Sequence, residues 1–207
     1  MPSDEPHLAA ALGSRICHDL ASPLGAVMAG LELLEMGGAG DGAAERALMR
    51  ESLDGARATL EVARLAFGQA GAGERRTTAA LRETLAAHLA ARPRLALDWA
   101  LEEGALARGE AQRLLLAALC ALHALPRGGT LRIAREGRAC TLAAQGAIGA
   151  EPTLWQGLAG RAPLPTPDPR RIEFHLLACH MAARGAEIDV TETPDCLTLR
   201  LWPSKVD

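Results

Sequence analysis

Apolar residues recur along the first third of the chain with a helical beat. Leu20, Leu24, Val27, Leu31 and Leu34 follow one another at intervals of 4, 3, 4 and 3 within a segment running from about Leu8 to Met36. That heptad-like seam is the kind that helices use when they pack almost parallel in a bundle. The run GGAGDG, Gly37 to Gly42, breaks the helix. A second helix is predicted from about Ala43 to Phe67, where Met49, Leu53, Ala56, Leu60, Ala63 and Phe67 repeat the beat. Its other side carries Glu51, Asp54, Arg57, Glu61 and Arg64. Two such seams joined by a short glycine loop describe an antiparallel helical hairpin. Two helices cannot enclose a core. The preferred solution is a second copy of the hairpin, giving a dimeric four-helix bundle; the alternative is packing against the rest of the same chain.

Gly68 to Thr78, rich in small and charged residues, reads as a linker or turn. The pattern then changes. A helix over Thr78 to Ala91, ended near Pro93, leads into RLALDWALE (Arg94 to Glu102), whose alternation is that of a half-buried strand. Arg108 to Leu125 is a long apolar helix. PRGG, Pro126 to Gly129, turns the chain into two alternating strands, Thr130 to Glu136 and Ala139 to Gln145. The proline-rich APLPTPDP (Ala162 to Pro169) is a loop. A helix from Arg170 to Arg184 stops at Gly185, and AEIDVTE and DCLTLRLW form a closing hairpin. The pattern predicts an α+β fold in two units. Residues 1–72 form the hairpin, and residues 73–207 form a layer of helices over one face of a mostly antiparallel sheet.

Composition narrows the function classes. The 207 residues are 49% hydrophobic but only 2% aromatic, with no Tyr and a net charge of −3. Neither a basic face nor stacking platforms for nucleic acid are expected. No apolar run approaches the roughly 18 residues of a membrane span. MPSDEPHLAA lacks the basic and apolar regions of a signal peptide. The five cysteines are scattered without a C-x-x-C pair, as suits reduced thiols in a cytoplasm.

The segment HDLASPL, His18 to Leu24, carries the candidate chemistry. His18 lies two residues before the seam position Leu20, about 200° around the helix from it. It therefore points away from the bundle core. Ser22, Gly25 and Ala29 follow on its face, so nothing bulky shields the ring. Neutral imidazole, with an ordinary pKa of about 6.5, is a nucleophile that can attack phosphorus in line. Asp19 stands where it can accept a hydrogen bond from the ring. Pro23 deprives the Asp19 carbonyl of its helical partner, and a kink is expected there. Arg15 lies on an adjacent face, either meeting a partner or the phosphate, or simply solvated. Cys17 is expected to be buried. His88, His123 and His175 read as packed or surface histidines, and no set of residues has zinc-ligand spacing.

HDLASPL resembles the phosphoacceptor box of two-component histidine kinases, His-Glu/Asp-Leu-Arg-Thr-Pro-Leu. LLLAALCALHALPRGGTLRI (Leu114 to Ile133) is similar to their L-L-N-L-L-x-N-A-x-x-A-x-P-x-G-G-x-L segment. EFHLLACHMAARGAEIDVTETPDCLTLRLWP is similar to the closing helix and hairpin of their ATP-binding domain. The departures are specific. The two kinase asparagines fall on Leu116 and Cys120, which offer Mg²⁺ no hard oxygen ligand. The Asp-x-Gly-x-Gly motif has its nearest counterpart at Ala144-Gln145-Gly146-Ala147-Ile148, without the aspartate. Over nearly its whole length the chain resembles the ChpT-type histidine phosphotransferases of alphaproteobacterial phosphorelays, on ICHDLASPLGAVMAGLELL, RLAFGQAG, LDW and LCALHALPRGGTL.

That resemblance implies a homodimer with a degenerate ATPase-like domain that binds no nucleotide. It implies that His18 is the phosphoacceptor, flanked by Asp19, taking a phosphoryl group from one receiver-domain aspartate and passing it to another. The receiver would bring the Mg²⁺. Arg15, Ser22, Gly25 and Ala29 would face the partner. Ala21 stands where the kinases have arginine, and Ser22 is a poor orienter of water, so phosphatase activity is not expected. A scaffold that docks receivers without chemistry and an ATP-dependent kinase are the competing readings.

Overall fold

The computed structural model describes residues 5–36, 42–69, 71, 73–149 and 151–203. Helix α1, Glu5–Met36, and helix α2, Ala43–Phe67, pack against each other as the antiparallel hairpin that the two seams predict. Gly30 is buried where the helices approach. A Cβ there would lie 2.5 Å from Met49 Cγ, so the absence of a side chain sets the spacing. Most of the predicted glycine loop, residues 37–41, lies outside the described residues. Helix α1 continues through Pro23 without a break, so the expected kink does not interrupt it.

The second unit is a mixed five-stranded sheet with helices on one face. Strands β2 (Leu95–Ala100), β4 (Gly129–Glu136), β5 (Ala139–Gln145), β6 (Ile188–Thr193) and β7 (Cys196–Leu201) run in the order β2-β4-β5-β7-β6. Among the described residues only β2 and β4 are parallel, joined by a crossover through helix α4, Arg108–His123; the other pairings are antiparallel. Alternation along the strands sets the faces. Leu131, Ile133, Leu142, Ala144, Leu197 and Leu199 are buried, whereas Arg132 and Arg200 lie on the open side, paired with Asp98 and Glu136. Helices α4, α3 (Thr78–Ala90) and α6 (Ile172–Ala182) complete the domain core.

Four short elements depart from the sequence pattern. Part of the expected linker, Arg75–Thr77, is strand β1, which pairs antiparallel with β3, Ala105–Ala107. Helix α5, Pro152–Leu158, precedes the proline-rich loop and drives Leu154 and Trp155 into the core. The loop ends in a 3-10 turn, Pro169–Arg171. Gly128 and Gly129 take left-handed φ values of 100° and 145° in the turn from α4 into β4, so RGG is a helix-to-strand turn. A Cβ on Gly128 would meet the Arg94 carbonyl oxygen at 2.4 Å.

The apolar residues of the hairpin have two fates. At the C-terminal end of α2, Val62, Leu65 and Ala66 are buried in the same core as α3 and α4. Gln112 of α4 fastens that end: its Nε2 donates to the Ala66 and Gly68 carbonyls at 3.0 and 2.8 Å. Further along, Leu24, Met28, Leu31, Leu53 and Leu60 are about half exposed or more. Own-chain packing therefore accounts for one end of the hairpin only. Among the described residues no helix is long and apolar enough to cross a membrane.

Candidate functional site

His18 projects from α1 with 72% of its side chain exposed. Ala21, Ser22, Gly25 and Ala29 are exposed along the same stretch, and a Cβ on Gly25 would meet nothing within 4 Å. Leu20 turns inward and is half-buried. His18 and Leu20 thus lie on opposite sides of α1, as the seam predicts. Cys17 is exposed, contrary to expectation. A position between two faces of a helix that packs on one side only is not covered by its own chain.

Asp19 sits between His18 and Arg15. Its Oδ1 lies 3.3 Å from His18 Nδ1, and its Oδ2 accepts from Arg15 Nε at 2.5 Å. Arg15 does not extend into solvent. Its Nη1 donates to the Arg170 carbonyl at 2.9 Å and reaches Glu173 Oε2 at 3.5 Å. Burial opposes the charged guanidinium, but Glu173 and Asp19 outweigh it and raise the Arg15 pKa. Glu173 is 1% exposed, and its other oxygen meets His123 Nε2. The sequence pattern identified His18, Asp19 and Arg15 but not Glu173 or His123. The one signal was a carboxylate set between Ile172 and Phe174 in an apolar stretch.

An open groove runs beside the histidine. Ser14, His18 and Asp19 form one wall, and Asp168 to Arg170 of the second unit form the other. The α4 positions that correspond to the kinase asparagines are filled and closed: Leu116 and Cys120 are both 0% exposed, and burial pushes the Cys120 thiol well up. Trp155 and Phe174 pack beside this helix with ring centroids 4.8 Å apart, and Phe174 lies 5.7 Å from the His123 ring. Among the described residues no group of three or more His, Cys, Asp or Glu is placed to hold a metal ion. His175 Nε2 lies 2.8 Å from the Pro165 carbonyl oxygen, and His88 is buried.

The chain is 38% identical over 130 residues to the protein phosphotransferase ChpT of Brucella abortus (strain 2308); the match covers 63% of this chain and 61% of the relative's length. A solved bacterial phosphotransferase superposes with a TM-score of 0.80 at 29% identity, over 94% of this chain and 95% of its own. A histidine kinase domain from Erythrobacter litoralis aligns over 91% of this chain and 94% of its own, at 14% identity and a TM-score of 0.46. The family model for the histidine phosphotransferase C-terminal domain matches residues 78–195, more than half of the chain. The protein therefore belongs to the ChpT-type histidine phosphotransferase family.

Proposed function

We propose that this protein carries a phosphoryl group between receiver-domain aspartates of a two-component phosphorelay, through a phosphohistidine at His18 and without ATP. The observation that carries the reading is an exposed imidazole whose Nδ1 faces the Asp19 carboxylate, leaving Nε2 directed to the surface. An ionised Asp19 accepts from Nδ1–H, which keeps the lone pair on Nε2. In the forward step that lone pair forms the N–P bond. The acyl P–O bond breaks, and its electron pair returns to the receiver's aspartate as carboxylate. The ring becomes a phosphorylated imidazolium that retains its Nδ1 proton, balanced by Asp19. Attack by a second receiver's aspartate on the same phosphorus reverses these changes. The two bonds have comparable transfer potential, so little driving force is needed.

The chain's own contribution is presentation of a nucleophile at a fixed height and angle. The groove between α1 and Asp168–Arg170 gives a receiver a wall on each side of His18, with Ser22, Gly25 and Ala29 allowing close approach. The receiver would supply Mg²⁺ and the phosphate clamp. Closure of the Leu116 and Cys120 positions supports a second domain without nucleotide. The half-exposed leucines of α1 and α2 support pairing of two hairpins in a homodimer. A cytoplasmic setting follows from such partners.

Incubation with a phosphorylated receiver should move label onto this protein, and His18→Ala should abolish the transfer. Label on the alanine variant would remove His18 from the mechanism. A wild-type protein that binds receiver yet never carries label would be a docking scaffold. Labelling from ATP alone would make it a kinase.

A further inference from the structure

The second domain has no nucleotide role in this reading, yet α6 and α4 reach into the site. We propose that Arg15 and Glu173 are positioning residues for phosphotransfer, with the buried Glu173 carboxylate holding Arg15 so that Arg15 fixes the Asp19 carboxylate against His18. The inference rests on His18 being the phosphoacceptor.

The contacts form one continuous line. His123 of α4 meets Glu173 of α6; Glu173 Oε2 lies 3.5 Å from Arg15 Nη1; Arg15 Nε donates to Asp19 Oδ2 at 2.5 Å; Asp19 Oδ1 faces His18 Nδ1 at 3.3 Å. An arginine and an aspartate four residues apart on a helix surface ordinarily gain only a few tenths of a kcal/mol and exchange freely with solvent. This pair is different because the arginine is largely enclosed and held from the far side. Glu173 and the Arg170 carbonyl both belong to the second unit. A long side chain anchored at both ends loses its rotamer freedom, and the carboxylate bonded to it loses its own. With Oδ2 occupied, Oδ1 is left to accept from His18 Nδ1–H, which selects the tautomer whose lone pair sits on Nε2.

Charge points the same way. A phosphoryl group arriving at His18 is anionic, and it enters a groove lined by the Asp19 carboxylate, with the Glu173 carboxylate enclosed behind Arg15. Arg15 lies between those two carboxylates and offsets them. A fully enclosed Glu173 without Arg15 and His123 would be an uncompensated buried charge, so the line is retained as a unit or lost as one. The degenerate domain thus acts as a strut on the phosphoacceptor helix.

The test uses the full-length protein and a phosphorylated receiver. Glu173→Gln preserves shape and removes the charge. It is expected to slow transfer to His18 on the order of tenfold in kcat, with the receiver KM unchanged, as a small misplacement of a reacting group does. Nitrogen-15 NMR of the His18 ring should show the Nδ1–H tautomer in the wild type and a mixture in Glu173→Gln. Arg15→Lys keeps a positive charge but cannot span Asp19, Glu173 and the Arg170 carbonyl; it should show the same mixture. It also serves should Glu173→Gln fail to fold. Wild-type kcat together with a wild-type tautomer in either variant overturns the inference while leaving His18 as phosphoacceptor. A raised KM with unchanged kcat overturns it too, by assigning the pair to receiver docking. A wild-type protein that takes no label at His18 overturns both readings.

Discussion

His18 and His88 face opposite media, and the difference sets what each can do. His88 is 8% exposed, and neither ring nitrogen has a hydrogen-bond partner among the described residues. Burial, then the positive charge of Arg92, lower its pKa from 6.5 to about 4; Asp19 pulls upward and Arg15 downward by less. The folded protein therefore keeps His88 neutral over a range where the unfolded chain protonates it. The stability that depends on neutrality is full above about pH 6.5 and falls as the pH drops toward 4, by at most about 3 kcal/mol. Urea unfolding across that window, at fixed protein concentration, should show the loss. His88→Leu should flatten that part of the pH dependence and add about 1–3 kcal/mol at neutral pH, since it removes two orphaned polar atoms from the interior. An unchanged pH slope in the leucine variant would assign the acid sensitivity to other groups.

Pro23 is the point where α1 departs from ordinary helix building. The helix runs from Glu5 to Met36 through it, although proline has no N–H to offer the Asp19 carbonyl. A proline in a helix interior costs up to about 3 kcal/mol relative to alanine. Pro23→Ala should raise the urea midpoint at constant m value, and an unchanged or lower midpoint would mean that the proline is compensated by packing. The long elements were legible because their period repeats: α1, α2, α4 and the alternating strands each hold several turns or pleats of one pattern. Arg75–Thr77 and Ala105–Ala107 are three residues each, too short for alternation to register, and β1 is recognisable only through its pairing with β3. Helix α5 spans two turns between glycines and prolines that read as loop. The same limit applies to the site. His18 and Asp19 are adjacent on one helix, so spacing exposes them. Glu173 meets Arg15 across 158 positions, and no local pattern encodes a contact made by docking α6 onto α1.

At the scale of the whole molecule the hairpin is only half covered. Val62, Leu65 and Ala66 are spent on the chain's own domain, whereas Leu24 and Leu31 on α1, and Leu53 and Leu60 on α2, recur at seven-residue intervals with about half their surface in water. A seven-residue repeat on both helices of a hairpin is what a second hairpin covers in a four-helix bundle. In a two-fold dimer each position counts twice. Leu31→Glu with Leu53→Glu therefore removes four leucines from the proposed interface. At about 1.5–3 kcal/mol for each fully buried side chain, and half that for one already half buried, the loss is about 3–6 kcal/mol before the cost of burying four carboxylates is added. A dimer of micromolar affinity rests on about 8 kcal/mol, so the double variant should sediment as a monomer at tens of micromolar. The core of the second unit is enclosed within one chain, so the variant should keep its sheet signal in circular dichroism while its mass halves. A double variant that still sediments as a dimer would move the interface off the hairpin, and the exposed leucines would then need another cover.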